Sequence, residues 1–131
     1  HPQAPIQVKT RLAASTVKMG ENVRLEATIT NTTKAGQPMT IARVGFPGGL
    51  TYQTWQLDEL KDKGKIAFYE TRAREVILYF RQMQPGEAKS IPLDLVAMLP
   101  GQYTGPSSTA YLYYTDDMKY WAPGIQVTVT R

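Results

Sequence analysis

The chain has no cysteine among its 131 residues. Disulfides, thiol nucleophiles and thiolate-held metals are therefore excluded. That absence leaves the compartment open, although it suits an exported bacterial protein built without disulfides. Histidine is almost as scarce: the only one is His1, at a terminus where no scaffold positions an imidazole as the base of a triad. No apolar run approaches the roughly 18 residues of a membrane span. The opening "HPQAPIQV" lacks the charged and apolar regions of a signal peptide, so the chain reads as a domain excised from a much larger protein. One-sided charge is missing too. The formal net charge is +4, and the densest basic cluster is the interrupted "KDKGK" at 61–65, too little for a nucleic-acid footprint.

What is present is a hydrophobic fraction of 42%, enough for a packed core in a single domain over residues 1–131. Its dominant period is two. In "NVRLEATITN" (22–31), Val23, Leu25, Ala27 and Ile29 alternate with Arg24, Glu26, Thr28 and Thr30, as in an antiparallel strand with one wet face. Further strands are predicted over 6–14, 39–46, 65–70, 74–82, 89–99, 108–115 and 125–130. Gly, Pro or Asp punctuates the connections, and Pro92 marks an edge strand or a bulge. This pattern predicts an all-β antiparallel sandwich.

One stretch does not alternate. "LTYQTWQLDELKDKG" (50–64) places Thr54, Leu57 and Leu60 at helical spacing and ends at Gly64, so one short embedded helix is predicted. Thr51 or Thr54 would cap it, and Lys61 and Lys63 would suit its last turn. "VILYF" (76–80) is apolar throughout, which requires both faces covered. Val76, Leu78 and Phe80 would face the opposite sheet, with Ile77 and Tyr79 beneath the helix against Leu57, Leu60 and Trp55. "AYLYYTDDMKYW" (110–121) raises a similar question. We read "AYLYY" as a strand covered on both faces, "TDD" as its turn and "MKYW" as the return.

Candidate chemistry is thin. Of the acidic pairs Asp58/Glu59, Glu70/Glu75 and Asp116/Asp117, the adjacent ones lie within one helix or turn, whereas glycosidase chemistry needs carboxyls facing each other across a cleft. Calcium at "TDDMKYW" would need six or more oxygens, and Lys119 opposes it. No catalytic, metal or cofactor site is predicted, and the chain is read as a non-enzyme. "NTT" (31–33) has the form of a glycosylation acceptor, or is an ordinary turn. Tyr111, Tyr113, Tyr120 and Trp121 have the composition of a sugar-stacking surface, which makes a carbohydrate-binding or adhesive module of a bacterial surface protein the alternative reading.

From residue 45 onward the order "GFPGGL", "QTWQLDEL", "FYETRAREVILYF" and "PGEAKSIPLDLVAMLPGQYTGPSSTAYLYYTDDMKYW" resembles the C-terminal receptor-binding domain of alpha-2-macroglobulins and related thioester proteins. The missing cysteine and compact loops resemble the bacterial branch. The resemblance implies an extracytoplasmic protease-trapping parent whose thioester lies elsewhere. This domain would act noncovalently, its partners being the parent's other domains, with proteases met only through the parent. In the vertebrate relatives, receptors recognise lysines near the beginning and middle of the helix. The matching stretch "LTYQTWQLDEL" has none, so any interaction surface on the helix would use Trp55 and Gln56, or the later Lys61, Lys63 and Lys65.

Overall fold

The computed structural model describes residues 1–131. In chain order the elements are β1 (Ile6–Leu12), β2 (Thr16–Lys18), β3 (Asn22–Asn31), β4 (Thr40–Gly45), β5 (Leu50–Thr51) and α1 (Thr54–Asp62). They continue with β6 (Phe68–Arg72), β7 (Glu75–Phe80), β8 (Ala88–Ala97), β9 (Gly101–Thr104), β10 (Ser108–Leu112), β11 (Thr115–Ala122) and β12 (Gln126–Thr130). The expected all-β sandwich with one helix is what forms, with additions. The two layers are antiparallel sheets in the orders β1-β3-β8-β5 and β11-β10-β4-β7-β6. A third sheet, β2-β12-β9, contains the one parallel pairing, β2 with β12. Strands β2 and β9 fall where connections were expected, and β5 takes the first two residues of the stretch read as helix; each is too short to carry a periodic signal.

Alternation works as the pattern requires. Val23, Leu25, Ala27 and Ile29 of β3 enter one continuous core with Ile91, Leu93 and Leu95 of β8 and Val76, Leu78 and Phe80 of β7. Val17, Val127 and Val129 add the third sheet's inner face to the same core. This sheet closes one end of the sandwich, and glycines permit its approach. A Cβ at Gly124 would stand 2.1 Å from the carbonyl oxygen of Gly105, and one at Gly45 would stand 2.4 Å from that of Pro106. Both distances are far inside contact, so "GFPGGL", "PGQYTGP" and "APG" are three chain segments that touch backbone to backbone.

At the opposite end Asn31 ties three segments together. It is fully buried, and its amide donates to the carbonyl oxygens of Ala35 (2.8 Å), Gln84 (3.0 Å) and Met83 (3.3 Å). Its Oδ1 accepts from the Thr33 backbone N–H and hydroxyl. The "NTT" motif is thus a structural turn whose amide is spent inside the fold.

The helix lies elsewhere than expected. Leu57 is buried in the main core, with Leu60 packed against it, on the side of Val76 and Leu78. Helix α1 therefore plugs the lateral opening between β6 and β8. Ile77 and Tyr79 point the other way and form a separate cluster with Ile41 and Tyr111. The capping expectation is also corrected. The N-cap is Gln53, with no side-chain capping bond, and the first turn holds no acidic residue. The glutamines hold the helix instead. Gln53 donates to the Asp94 carbonyl oxygen (2.9 Å), and Gln56 accepts from the Asp94 backbone N–H (2.8 Å). They occupy the side of β8 where β5 has ended, the side to which Pro92, two residues earlier, would direct a missing N–H. Pro92 is thus on a local edge, covered by helix side chains. Lys61 stands in the last turn, as expected, and Gly64 leaves the helix at φ +73.

The tyrosine segment needs the largest correction. Strand β10 ends at Leu112, and Leu112 pairs with Thr115, so Tyr113 and Tyr114 form the turn. Asp116 and Asp117 belong to β11. Between the Ala110–Tyr120 and Leu112–Thr115 pairs the register shifts, so residues 116–119 arch opposite Tyr111. Of the aromatic rings, Tyr111 is buried and Tyr120 half-buried, whereas Tyr113 (56%), Tyr114 (76%) and Trp121 (62%) are exposed. Tight two-residue turns favour glycine or asparagine, which is why a Tyr-Tyr turn was not legible.

Candidate functional site

Two surfaces gather the unusual residues. The first is the solvent side of α1. Trp55 is 60% exposed, and its indole N–H donates to Gln53 Oε1 at 3.0 Å. Gln56 is turned inward, its amide also donating to Asp94 Oδ2 at 3.2 Å. Lys63 pairs with Glu59 at 3.1 Å, one helical turn away. Lys61 and Lys65 are exposed, and the Lys61 ammonium stands 5.5 Å from the centre of the Phe68 ring. The five helix-surface residues singled out from sequence thus divide into an exposed indole, an engaged amide and three lysines of which one is paired.

The second surface is the outer face of the five-stranded sheet. Pairing registers place Tyr111, Ile41, Tyr79 and Phe68 in one row across it, and Trp121, Thr109, Arg43, Ile77 and Glu70 in the next. Ile41 and Ile77 are buried although no second layer lies over them. Long side chains of the same face supply the cover. Arg43 pairs with Glu75, the Tyr79 hydroxyl donates to Glu70, and the Lys119 ammonium stands 5.0 Å from the Tyr111 ring centre. The hydrogen bond to Glu70 and partial burial push the Tyr79 phenol up to about 12. Exposed Trp121 and Phe68 mark opposite edges, and a cavity of about 360 Å³ opens between Arg43, Thr109, Lys119 and Trp121. Sequence reasoning missed this face because it assigned the second side of "VILYF" to the helix. Opposite charges spaced along neighbouring strands were its only signal.

The carboxylates are held singly. Asp58 accepts from Tyr69, Glu59 pairs with Lys63, Glu70 accepts from Tyr79 and Glu75 pairs with Arg43. No cluster of three or more His, Cys, Asp or Glu side chains has the arrangement of a metal site, and no helix is long and apolar enough to cross a membrane. Each of these four carboxylates is engaged with its own tyrosine or cation.

Comparison with known families decides whose surfaces they are. The family model described as the bacterial alpha-2-macroglobulin MG10 domain matches residues 3–117. The chain belongs to that family. No curated protein matches this MG10 domain in sequence. A crystal structure of Salmonella alpha-2-macroglobulin reacted with methylamine superposes with a TM-score of 0.77 at 14% identity, covering 97% of this chain and 9% of that one. Native Escherichia coli alpha-2-macroglobulin, spanning domain MG7 to the C-terminus, gives 0.76 at 12% identity, over 97% of this chain and 24% of that one. The CARDB domain of the Pyrococcus furiosus protein PF1109, in complex with di-metal ions, gives 0.60 at 16% identity, covering 98% and 90%. At these identities the likeness concerns the fold. The MG10 domain thus spans about a tenth of the full-length macroglobulin it matches.

Proposed function

We propose that this MG10 domain is the non-catalytic C-terminal module of an alpha-2-macroglobulin-like protease trap that works outside the cytoplasm. With no cysteine, it supplies no thioester sulfur, so its part is noncovalent: it packs against another domain of the same parent. The observation that carries this reading is the outer face of the five-stranded sheet. Ile41, Ile77, Tyr79 and Tyr111 lie there under a thin lid of ion pairs, flanked by exposed Trp121 and Phe68. Charge-poor centres rich in aromatic residues and arginine, rimmed by polar groups, are the composition of protein interfaces. A receptor-binding role of the vertebrate kind has less support, since the first two turns of α1 carry no lysine.

The test uses the full-length parent, folded and purified. Labelled methylamine should be incorporated upstream of this domain, and proteases should be inhibited. A folded parent that does neither would overturn the trap. Trp121→Ala combined with Phe68→Ala in that parent should change the rate of incorporation if the face docks onto a neighbouring domain. An unchanged rate would remove the docking role while leaving the trap intact.

A second reading rests on one observation, the exposed Trp121 ring beside the Arg43–Lys119 cavity. It is a carbohydrate-binding or adhesive module, for which exposed indole and polar neighbours are suitable chemistry. Glycan binding lost in Trp121→Ala without unfolding would favour it. Tyr111 is no longer part of such a platform, because its ring is buried.

A further inference from the structure

Below the C-terminal end of α1 the side of the sandwich opens into a cavity of about 320 Å³. Four cationic side chains line it: Lys61 from the helix, Lys65 from the turn after it, Arg81 just past β7 and Lys89 from β8. Ile66 and Phe80, both buried, supply apolar wall. Only Lys89 has a carboxylate partner, Glu87 at 3.1 Å. Lys61, Lys65 and Arg81 take part in none of the ion pairs of the molecule. They are not needed to cap the helix either. The carbonyls of Glu59, Leu60 and Lys61 already accept from the backbone N–H groups of Lys63, Lys65 and Gly64.

We infer that this cavity is an anion site for a phosphate group. Three cations without a carboxylate partner line it, from three chain segments, beside the apolar walls of Ile66 and Phe80 that strengthen their field. A single carboxylate would balance one of them. A phosphate monoester, carrying about −1.5 to −2 charge near neutral pH, balances most of the set and matches the planar fork of Arg81. The volume lies at the lower end of the roughly 300–1,000 Å³ usual for small-molecule sites, so a phosphate with a short appended alcohol or sugar fits better than a large ligand. The phosphate can come from a lipid headgroup or from a soluble ester. This inference does not depend on the protease-trap reading.

The test titrates the 131-residue chain with inorganic phosphate and with glycerol phosphate, following its backbone amides by NMR. Saturable shifts are expected at Lys65, Ala67, Arg81, Gln82 and Lys89. They should weaken about tenfold in the folded Lys61→Gln/Arg81→Gln variant, equivalent to about 1.4 kcal/mol. A remote unpaired lysine changed by Lys18→Gln should leave them as they were. Absence of saturable shifts, indifference to the double substitution, or equal loss in Lys18→Gln would each overturn the site. Tighter occupation of the same amides by polyglutamate would also overturn it, in favour of an acidic protein partner. Sedimentation with phosphatidylglycerol-containing vesicles, lost in the double variant and competed by phosphate, would assign the lipid source. Retained phosphate shifts without vesicle binding would assign the soluble one.

Discussion

The two large sheets turn different outer faces away from the core they share. On the four-stranded sheet the rows read Lys9–Thr28–Ser90, Arg11–Glu26–Pro92 and Arg24–Asp94. Arg24 and Asp94 form a two-pronged pair at 2.8 and 3.0 Å, and Ser90 donates to Glu26. Water is the natural neighbour of that face. On the five-stranded sheet the corresponding positions are Ile41, Ile77 and Tyr111, buried, and Tyr79, half-buried, beneath side chains that include the Arg43–Glu75 ion pair. The inner faces are equally apolar because the sandwich itself buries them. An outer face answers to its own side chains and to what lies beyond it, and the docking proposed above would account for the difference.

That contrast can be tested most sharply on adjacent residues of β7. Leu78 is completely buried in the main core, and Leu78→Ala should cost about 4 kcal/mol by urea denaturation. Ile77→Ala, one residue away on the outer face, should cost about 2 kcal/mol, since a thin lid collapses or admits water more readily than a closed core. Equal losses would mean that the outer cluster is as closed as the core, and would weaken the case for a docking face.

The hydrated face has its own signature at acid pH. Hydrogen bonding and charge from Arg24 hold the Asp94 carboxyl below its ordinary range, and Gln56 adds to this. A depressed folded value means that the contribution to stability is complete above the unfolded value near pH 4 and is lost as pH falls through the lower folded one. Thermal stability should therefore decline below about pH 4, and Asp94→Asn should flatten that decline. A slope unchanged in Asp94→Asn would assign acid lability to other carboxylates.

The smallest effect belongs to the lid of the apolar face. Tyr79→Phe removes the hydroxyl bonded to Glu70 and should cost no more than about 1 kcal/mol at neutral pH. Its phenol titrates at about 12 in the fold, above the ordinary value of 10.0. The stability it adds is present below the unfolded value and disappears as pH rises from there to the folded one. Wild type should lose that increment across this alkaline range while Tyr79→Phe does not. Parallel alkaline unfolding of the two would show that the Glu70 contact contributes nothing.

Much of the fold was legible because local patterns carry it. The alternation of β3 and the glycine-terminated helix each state their own conformation over several residues. Less was legible where partner choice matters. The side of α1 that receives Leu57 depends on an opening between β6 and β8, which no local period records. Strands β2, β5 and β9 exist because a neighbour offers an edge. Tyr113–Tyr114 turns because Leu112 and Thr115 pair, against the usual residue preference. Of the candidate surfaces, Trp55, Gln56 and the lysines could be named only through the family resemblance. Arg81 and Lys89 could not be joined to Lys61 and Lys65, since they come from both sheets.

By itself the sequence determined the sandwich class, the helix, the apolar run of β7 and the lack of any thiol. Each follows from composition or from a period that every residue in the segment obeys. Only the tertiary structure decided what covers the second face of β7, that Gln53 and Gln56 are both spent on Asp94, and that four cations line one opening. Those outcomes depend on pairings between residues far apart in the chain, where burial and charge are properties of the neighbours.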